Sequence, residues 1–187
     1  PETEQLVERL VTRVVPAPAL VLDLGTGSGC LALGLLKAWP EARAVGVDRS
    51  ADALALAAAN AVRNQLADRV EWRVSDWYSE LSGSGPFDLL VSNPPYLTDQ
   101  EWSEAQPEVA AWEPRSALTA PDAGCADLLR LVAGARVFLR PGGWLALETG
   151  IAQHPRLLAA LGDAGFHDSV SETDLAGRPR FVFARAP

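Results

Sequence analysis

"ALVLDLGTGSGCLALGLLKAW", residues 19 to 39, decides how this chain folds. An apolar, strand-like run from 19 to 25 enters a turn with glycine at 25, 27 and 29, and an apolar helical pattern follows and is closed by Pro40. Strand, glycine turn and helix together form the first half of a strand–helix–strand unit. The glycines permit a tight turn and close approach of a ligand to the backbone.

The same alternation continues on both sides. "ARAVGVD" (42 to 48) predicts a second strand, and "SADALALAAANAVRNQL" (50 to 66) an Ala-rich helix with Ser50 as its N-cap. "RVEWRVSD" (69 to 76) and "FDLLVSN" (87 to 93) predict the third and fourth strands, separated by the turn "SGSGP". A loop-like stretch fills about 94 to 124; "ADLLRLVAGARVFL" (126 to 139) is a helix, and "PGG" leads into the strand "WLALETG" (144 to 150). A helix near 154 to 164 and strands near 167 to 173 and 180 to 185 complete the chain. Upstream, "ETEQLVERLVTRVV" places Leu6, Val7, Leu10, Val11, Val14 and Val15 on one helical stripe that Pro16 ends. The expectation is one doubly wound α/β domain over residues 1 to 187, a mainly parallel seven-stranded sheet with helices on both faces and right-handed crossovers.

Composition agrees with such a domain. The chain has 187 residues, 48% of them hydrophobic, enough for a substantial core. Its apolar runs are broken well before the roughly 18 to 20 residues of a membrane span. With no basic leader followed by an apolar stretch, a cytoplasmic location is expected. The chain opens on Pro1 and holds no Met, which suggests a processed or truncated form. Against 24 acidic residues stand 16 basic ones, a net charge of −8, and Lys37 is the single lysine. That balance disfavours stable nucleic-acid binding through phosphates. Cys30 and Cys125 lack metal-ligand spacing and are read as small core residues, with no metal site.

In open α/β sheets, ligands sit beyond the carboxyl ends of the strands. The residues there are Asp23 and the turn Gly25, Thr26, Gly27, Ser28 and Gly29 after the first strand, Asp48 after the second, Asp76 and Trp77 after the third, and Asn93 after the fourth. A G-x-G-x-G turn alone is compatible with a plain connector. Asp48, about 20 residues on, adds a carboxylate able to accept hydrogen bonds from ribose hydroxyls. Nicotinamide dinucleotides and S-adenosylmethionine share an adenosine, but Cys30 stands where the dinucleotide fingerprint needs its third glycine. Asp23 suits a cationic, zwitterionic cofactor better than a pyrophosphate. Asp76 offers an acceptor to an adenine amino group, and Trp77 a stacking or packing surface.

Asn93 is followed by Pro94, Pro95 and Tyr96. The Asn side chain carries one acceptor and one donor group, and two prolines remove two backbone donors while leaving carbonyls as acceptors. With the ring of Tyr96, this suits a planar nitrogen group, either an amide or an exocyclic amine, held for attack on a methyl sulfonium by positioning and electrostatics.

Together, "DLGTGSG", Asp48, "SDW" and "NPPY" resemble the class I S-adenosylmethionine-dependent methyltransferases that modify planar nitrogens. With "PETE" at the start, "WEPRSAL" at 112 to 118 and "LALETG" at 145 to 150, the chain is similar to the peptide chain release factor glutamine methyltransferases, the HemK/PrmC family, over nearly its whole length. The resemblance implies a Rossmann-like sheet with an antiparallel last strand. It implies methylation of the glutamine amide in the Gly-Gly-Gln loop of a release factor, with S-adenosylhomocysteine as product. Carried over by motif, Thr3, Asp23, Gly25 to Gly29, Asp48, Asp76, Trp77 and Asn93 bind the cofactor; Asn93, Pro94, Pro95 and Tyr96 hold the glutamine, and Glu113 orders the substrate loop. Thr3 and Glu4 close one side of the pocket or are an ordinary helix start with Thr3 as cap. The family's N-terminal helical domain and its Arg before PETE are absent from this sequence, and a monomer is expected. Two other readings stay open: an amino methyltransferase of adenine or guanine in nucleic acid, and a catalytically silent cofactor-binding adaptor.

Overall fold

The computed structural model describes residues 2–103 and 115–187. Seven strands form one sheet: β1 (Leu20–Leu24), β2 (Arg43–Asp48), β3 (Val70–Val74), β4 (Phe87–Ser92), β5 (Leu139–Glu148), β6 (His167–Thr173) and β7 (Pro179–Arg185), in the order β3-β2-β1-β4-β5-β7-β6. The ladders from β3 through β5 are parallel, and β7 pairs antiparallel with both β5 and β6. The antiparallel last strand is as the resemblance implies. Strand order reverses between β1 and β4, so a crevice opens where those two strands end.

Among the described residues, five longer helices cover the faces: α1 (Glu2–Arg13), α2 (Cys30–Ala38), α3 (Ala51–Arg63), α4 (Ala126–Phe138) and α5 (His154–Asp163). Alternation along each strand sorts the core in two. Val21, Leu89, Val91, Ala146, Phe181 and Phe183 meet Leu6 and Leu10 of α1 and Leu31, Leu35 and Leu36 of α2. Leu22, Leu24, Leu90, Leu145, Leu147 and Val182 face Leu128, Leu131 and Ala135 of α4 and Leu157 and Leu161 of α5. Ser50 caps α3, its side chain accepting from the Ala53 N–H.

Four expectations shift in detail. Only Leu6, Leu10 and Val14 of the first apolar stripe are buried, while Val11 sits at its exposed edge and Val15, beyond the end of α1, is open to solvent. Val7 is half-buried against Gly34 of α2, and Thr3, Arg9 and Arg13 also meet the sheet, so the packed face of α1 turns away from Val11 and leaves it at the rim. β5 begins at Leu139 rather than after "PGG", because a register shift opposite Phe87–Leu89 accommodates Pro141, Gly142 and Gly143 within the strand. The loop after Asn93 contains short helices at Asp99–Ser103 and Arg115–Leu118 and a Leu97–Thr119 bridge. Cys125 is buried, but Cys30 is exposed. Cys30, the first residue of α2, lies two turns before exposed Lys37 on the same side of the helix, away from buried Leu35. Among the described residues no helix is long and apolar enough to cross a membrane, and no cluster of potential metal ligands occurs.

Candidate active site

The glycine turn closes on itself through short-range bonds. Asp23 lies fully buried on the α2 face of β1, where its Oδ2 accepts from Thr26 Oγ1 at 2.6 Å and from the Ala32 N–H at 3.1 Å. Gly29, the N-cap of α2, has no side chain to offer, and Asp23 supplies the acceptor instead. Asp23 Oδ1 is buried without a partner among the described residues. Burial pushes its carboxyl up to about 6 despite those two bonds, and Asp48 adds to the rise. Gly27 has φ +55° and open space where a Cβ would stand, so a ligand can approach its backbone closely.

Asp48 bridges this turn to the next unit, taking the Gly27 N–H on Oδ2 and the Ser50 N–H on Oδ1, both at 2.9 Å. A carboxylate holds about four lone-pair sites, so both oxygens retain acceptor capacity. The Trp77 ring packs against Gly25, while its Nε1 donates to Asp127 at 3.1 Å. Trp77 adopts φ +52°, in the left-handed region. Asp76 is exposed and paired by both oxygens with Arg130, at 3.1 and 2.9 Å. That pairing occupies it with a charge partner from α4. Ser28 lies beside Cys30, with Oγ 3.2 Å from Sγ, and its carbonyl accepts from Asn60.

Asn93 follows Ser92, which pairs with Leu24, so the Asn stands beside Gly25 at the crevice. Its Nδ2 donates to Thr3 Oγ1 at 3.3 Å, and Thr3 donates to Glu148 Oε2 at 3.0 Å. Tyr96 donates its phenol to Glu148 Oε1 at 3.3 Å. Thr3 thus lies within the first turn of α1 and is not its cap, and Glu4 is exposed. Pro94 is buried and Pro95 half-buried; among the described residues, no backbone N–H bonds the Asn93 or Pro94 carbonyl. Behind them, Gln153 donates to the carbonyls of Tyr96 and Ala123, both at 3.1 Å. Gly124 lies so close that a Cβ there would stand 2.1 Å from the Tyr96 carbonyl oxygen.

Glu148 escaped the sequence reading, though "LALETG" drew attention to its segment. It is 3% exposed, and burial pushes its carboxyl above the usual range, opposed by the Thr3 bond, Arg180 and the Tyr96 bond. Arg180, also missed, lies 5.4 Å from the centroid of the Tyr96 ring and donates to the Thr149 carbonyl at 2.8 Å. Burial and the neighbouring Glu148 push the Tyr96 phenol up to about 12, so at neutral pH it remains a donor. The signal for Glu148 was a carboxylate ending an apolar strand without a turn residue beside it. Glu113, with Trp112 and Pro114, lies outside the described residues.

The family described as "Methyltransferase small domain" matches residues 2–111, over half of the chain. A protein of Cereibacter sphaeroides named "Release factor glutamine methyltransferase" is 43% identical over 188 residues, covering 100% of this chain and 66% of that protein. A protein of the same name from Salmonella typhimurium is 41% identical over 186 residues, covering 99% and 66%. The chain therefore spans a little under two thirds of the length of these relatives. The solved structure of a ribosomal protein L11 methylase from Lactobacillus delbrueckii subsp. bulgaricus superposes with a TM-score of 0.72 at 22% identity, covering 100% of this chain and 80% of that one, a likeness of fold.

Proposed function

The chain belongs to the methyltransferase small domain family, and on that premise we propose that it transfers a methyl group from S-adenosylmethionine to the side-chain amide nitrogen of the glutamine in the Gly-Gly-Gln loop of a peptide chain release factor. The name shared by the relatives at 43% and 41% identity supports this substrate. The observation that carries the reading is the placement of Asn93 beside the glycine turn, followed by two prolines without N–H groups.

The residues fit the cofactor. The partnerless Asp23 Oδ1 is a buried anionic acceptor that a cationic amino group would satisfy, and the open face of Gly27 leaves room for a ligand. Gly25 to Gly29, Asp23 and Asp48 would hold it, with Trp77 flanking. Asp76, exposed beyond β3, would accept from the adenine amino group, and Thr3 lies near the cofactor through Asn93. When bound, S-adenosylmethionine supplies the methyl group and the sulfonium charge.

Asn93 and the Pro94 carbonyl accept the two hydrogens of the glutamine amide, and Tyr96 presents its ring to the flat group. An amide nitrogen is poorly nucleophilic because its lone pair is delocalised into the carbonyl. Two fixed acceptors turn that lone pair toward the crevice, and catalysis is chiefly orientation in a partly desolvated site. Glu113 would contact the release factor. Labelled methyl from S-adenosylmethionine should appear on that glutamine when a purified release factor, RNA and DNA are offered side by side. Label on nucleic acid alone would overturn the reading.

A further inference from the structure

We infer that Glu148 is a positioning residue that sets which way round the Asn93 amide sits, acting through the hydroxyl of Thr3. The inference rests on the reading that Asn93 meets the acceptor amide, and on the directionality of one chain of hydrogen bonds. An ionised carboxylate only accepts. Thr3 has one hydroxyl hydrogen, and at 3.0 Å from Glu148 Oε2 that hydrogen is committed to the carboxylate. Its lone pairs are left to accept, and the group 3.3 Å away on Asn93 must then be the donor Nδ2. With Nδ2 turned to Thr3, the Asn93 Oδ1 has no donor among the described residues and can accept from a substrate N–H. An Asn with no such neighbour can sit either way round, because its two ends have nearly the same shape.

The carboxylate is built to stay in this role. Glu148 is buried at the end of β5, Tyr96 donates to its other oxygen, and Arg180 from β7 faces it, while Glu2 on α1 is the acidic group nearby. Both walls of the acceptor site, α1 and the Asn-Pro-Pro-Tyr loop, therefore meet on one carboxylate. Protonation would give Glu148 a hydrogen of its own to donate. Thr3 could then donate toward Asn93, and the bias on the amide would vanish. Since burial raises the proton affinity of Glu148, the loss sets in at a higher pH than an ordinary glutamate would give, as pH falls.

The test uses near-isosteric variants, so that packing is kept. With release factor as substrate, Glu148→Gln and Thr3→Val should each lower kcat about tenfold or more, and Thr3→Ser should restore most of the rate. The double variant should lose no more than the worse single one, because both cut the same chain. Full activity in both single variants, or losses that multiply in the double one, would overturn the inference while leaving the transferase reading intact. A second readout needs no turnover: in nitrogen-15-labelled protein, the Asn93 side-chain amide resonances should shift on acidification in step with Glu148 and stop doing so in Thr3→Val. An Asn93 signal that does not move in the wild type, or that moves equally in Thr3→Val, refutes the relay even if no methyl transfer is found.

Discussion

The two ends of the crevice are assembled in opposite ways. At the cofactor end, the bonds that shape the turn join residues 3, 9 and 21 positions apart, Asp23 to Thr26 and Ala32, and Gly27 to Asp48. At the acceptor end, the separations are 52, 90 and 145, for Tyr96 to Glu148, Asn93 to Thr3 and Thr3 to Glu148. The first end needs only β1, its glycine turn, α2 and the end of β2, which follow one another along the chain. The second exists only when α1, β4 and β5 have all reached their positions in the sheet. Damage to the first should therefore be felt as lost cofactor affinity, and damage to the second as lost turnover.

The largest expected effect tests that division directly. Asn93→Ala should reduce methyl transfer by about two to three orders of magnitude, the usual scale for removing a group that orients and stabilises reacting atoms. Cofactor affinity, measured by calorimetry, should change little. A parallel loss of affinity would merge the two ends into one unit.

Asp23 sharpens the same contrast through pH. Its folded-state value is raised from 3.8 to about 6, so the native state binds the proton more tightly than the unfolded chain. Stability from this group is greatest below about pH 4 and declines as pH rises to about 6. At about 1.4 kcal/mol for each tenfold change in proton affinity, the decline is worth roughly 3 kcal/mol. Denaturant titrations of cofactor-free protein across that window should show it, and Asp23→Asn should flatten the slope. A cationic ligand at Asp23 favours the ionised form, so S-adenosylmethionine should bind with release of a proton near pH 5 to 6.

Gly124→Ala attacks the acceptor end from behind. Its φ is +77° and the added Cβ would stand 2.1 Å from the Tyr96 carbonyl oxygen, so the loop must move. A loss of about 1 to 3 kcal/mol in thermal or chemical unfolding is expected, with a fall in transfer rate and unaltered cofactor affinity. The smallest effect is Ser50→Ala, which removes the cap of α3. It should cost about 1 kcal/mol of stability, leaving the transfer rate at permissive temperature as it was.

What could be read from the sequence follows the same divide. The strands, the glycine turn, the Ser50 cap and the row of polar residues at strand ends were legible because each is written in neighbouring residues. Glu148 and Arg180 were not, since a carboxylate and a guanidinium at the ends of apolar strands look like the chain leaving the sheet until their partners are known. Asp76 stands beyond β3 where the sequence places it, but nothing local announces that Arg130 reaches it from another helix. Cys30 shows the limit of residue type as evidence. A small thiol suggests the interior, but its place on the outer face of α2 was decided by helical phase.

The reversed strand β7 has a consequence of its own. Parallel strands arrive at the crevice rim with their last residues, whereas β7 departs from it with its first, so Arg180 enters the site at the outset of a strand. The turn before it, Asp174 to Arg178, leans on the start of α1 through Leu175 to Gln5 and Arg178 to Glu2. The rim is thus edged by a hairpin whose tip, with Leu175 88% exposed, projects beyond the sheet. Buried Asp174 pins the base of this tip by accepting from Ala176 and Arg178, so the side chains of residues 175 and 176 beyond it are free to change without touching the core.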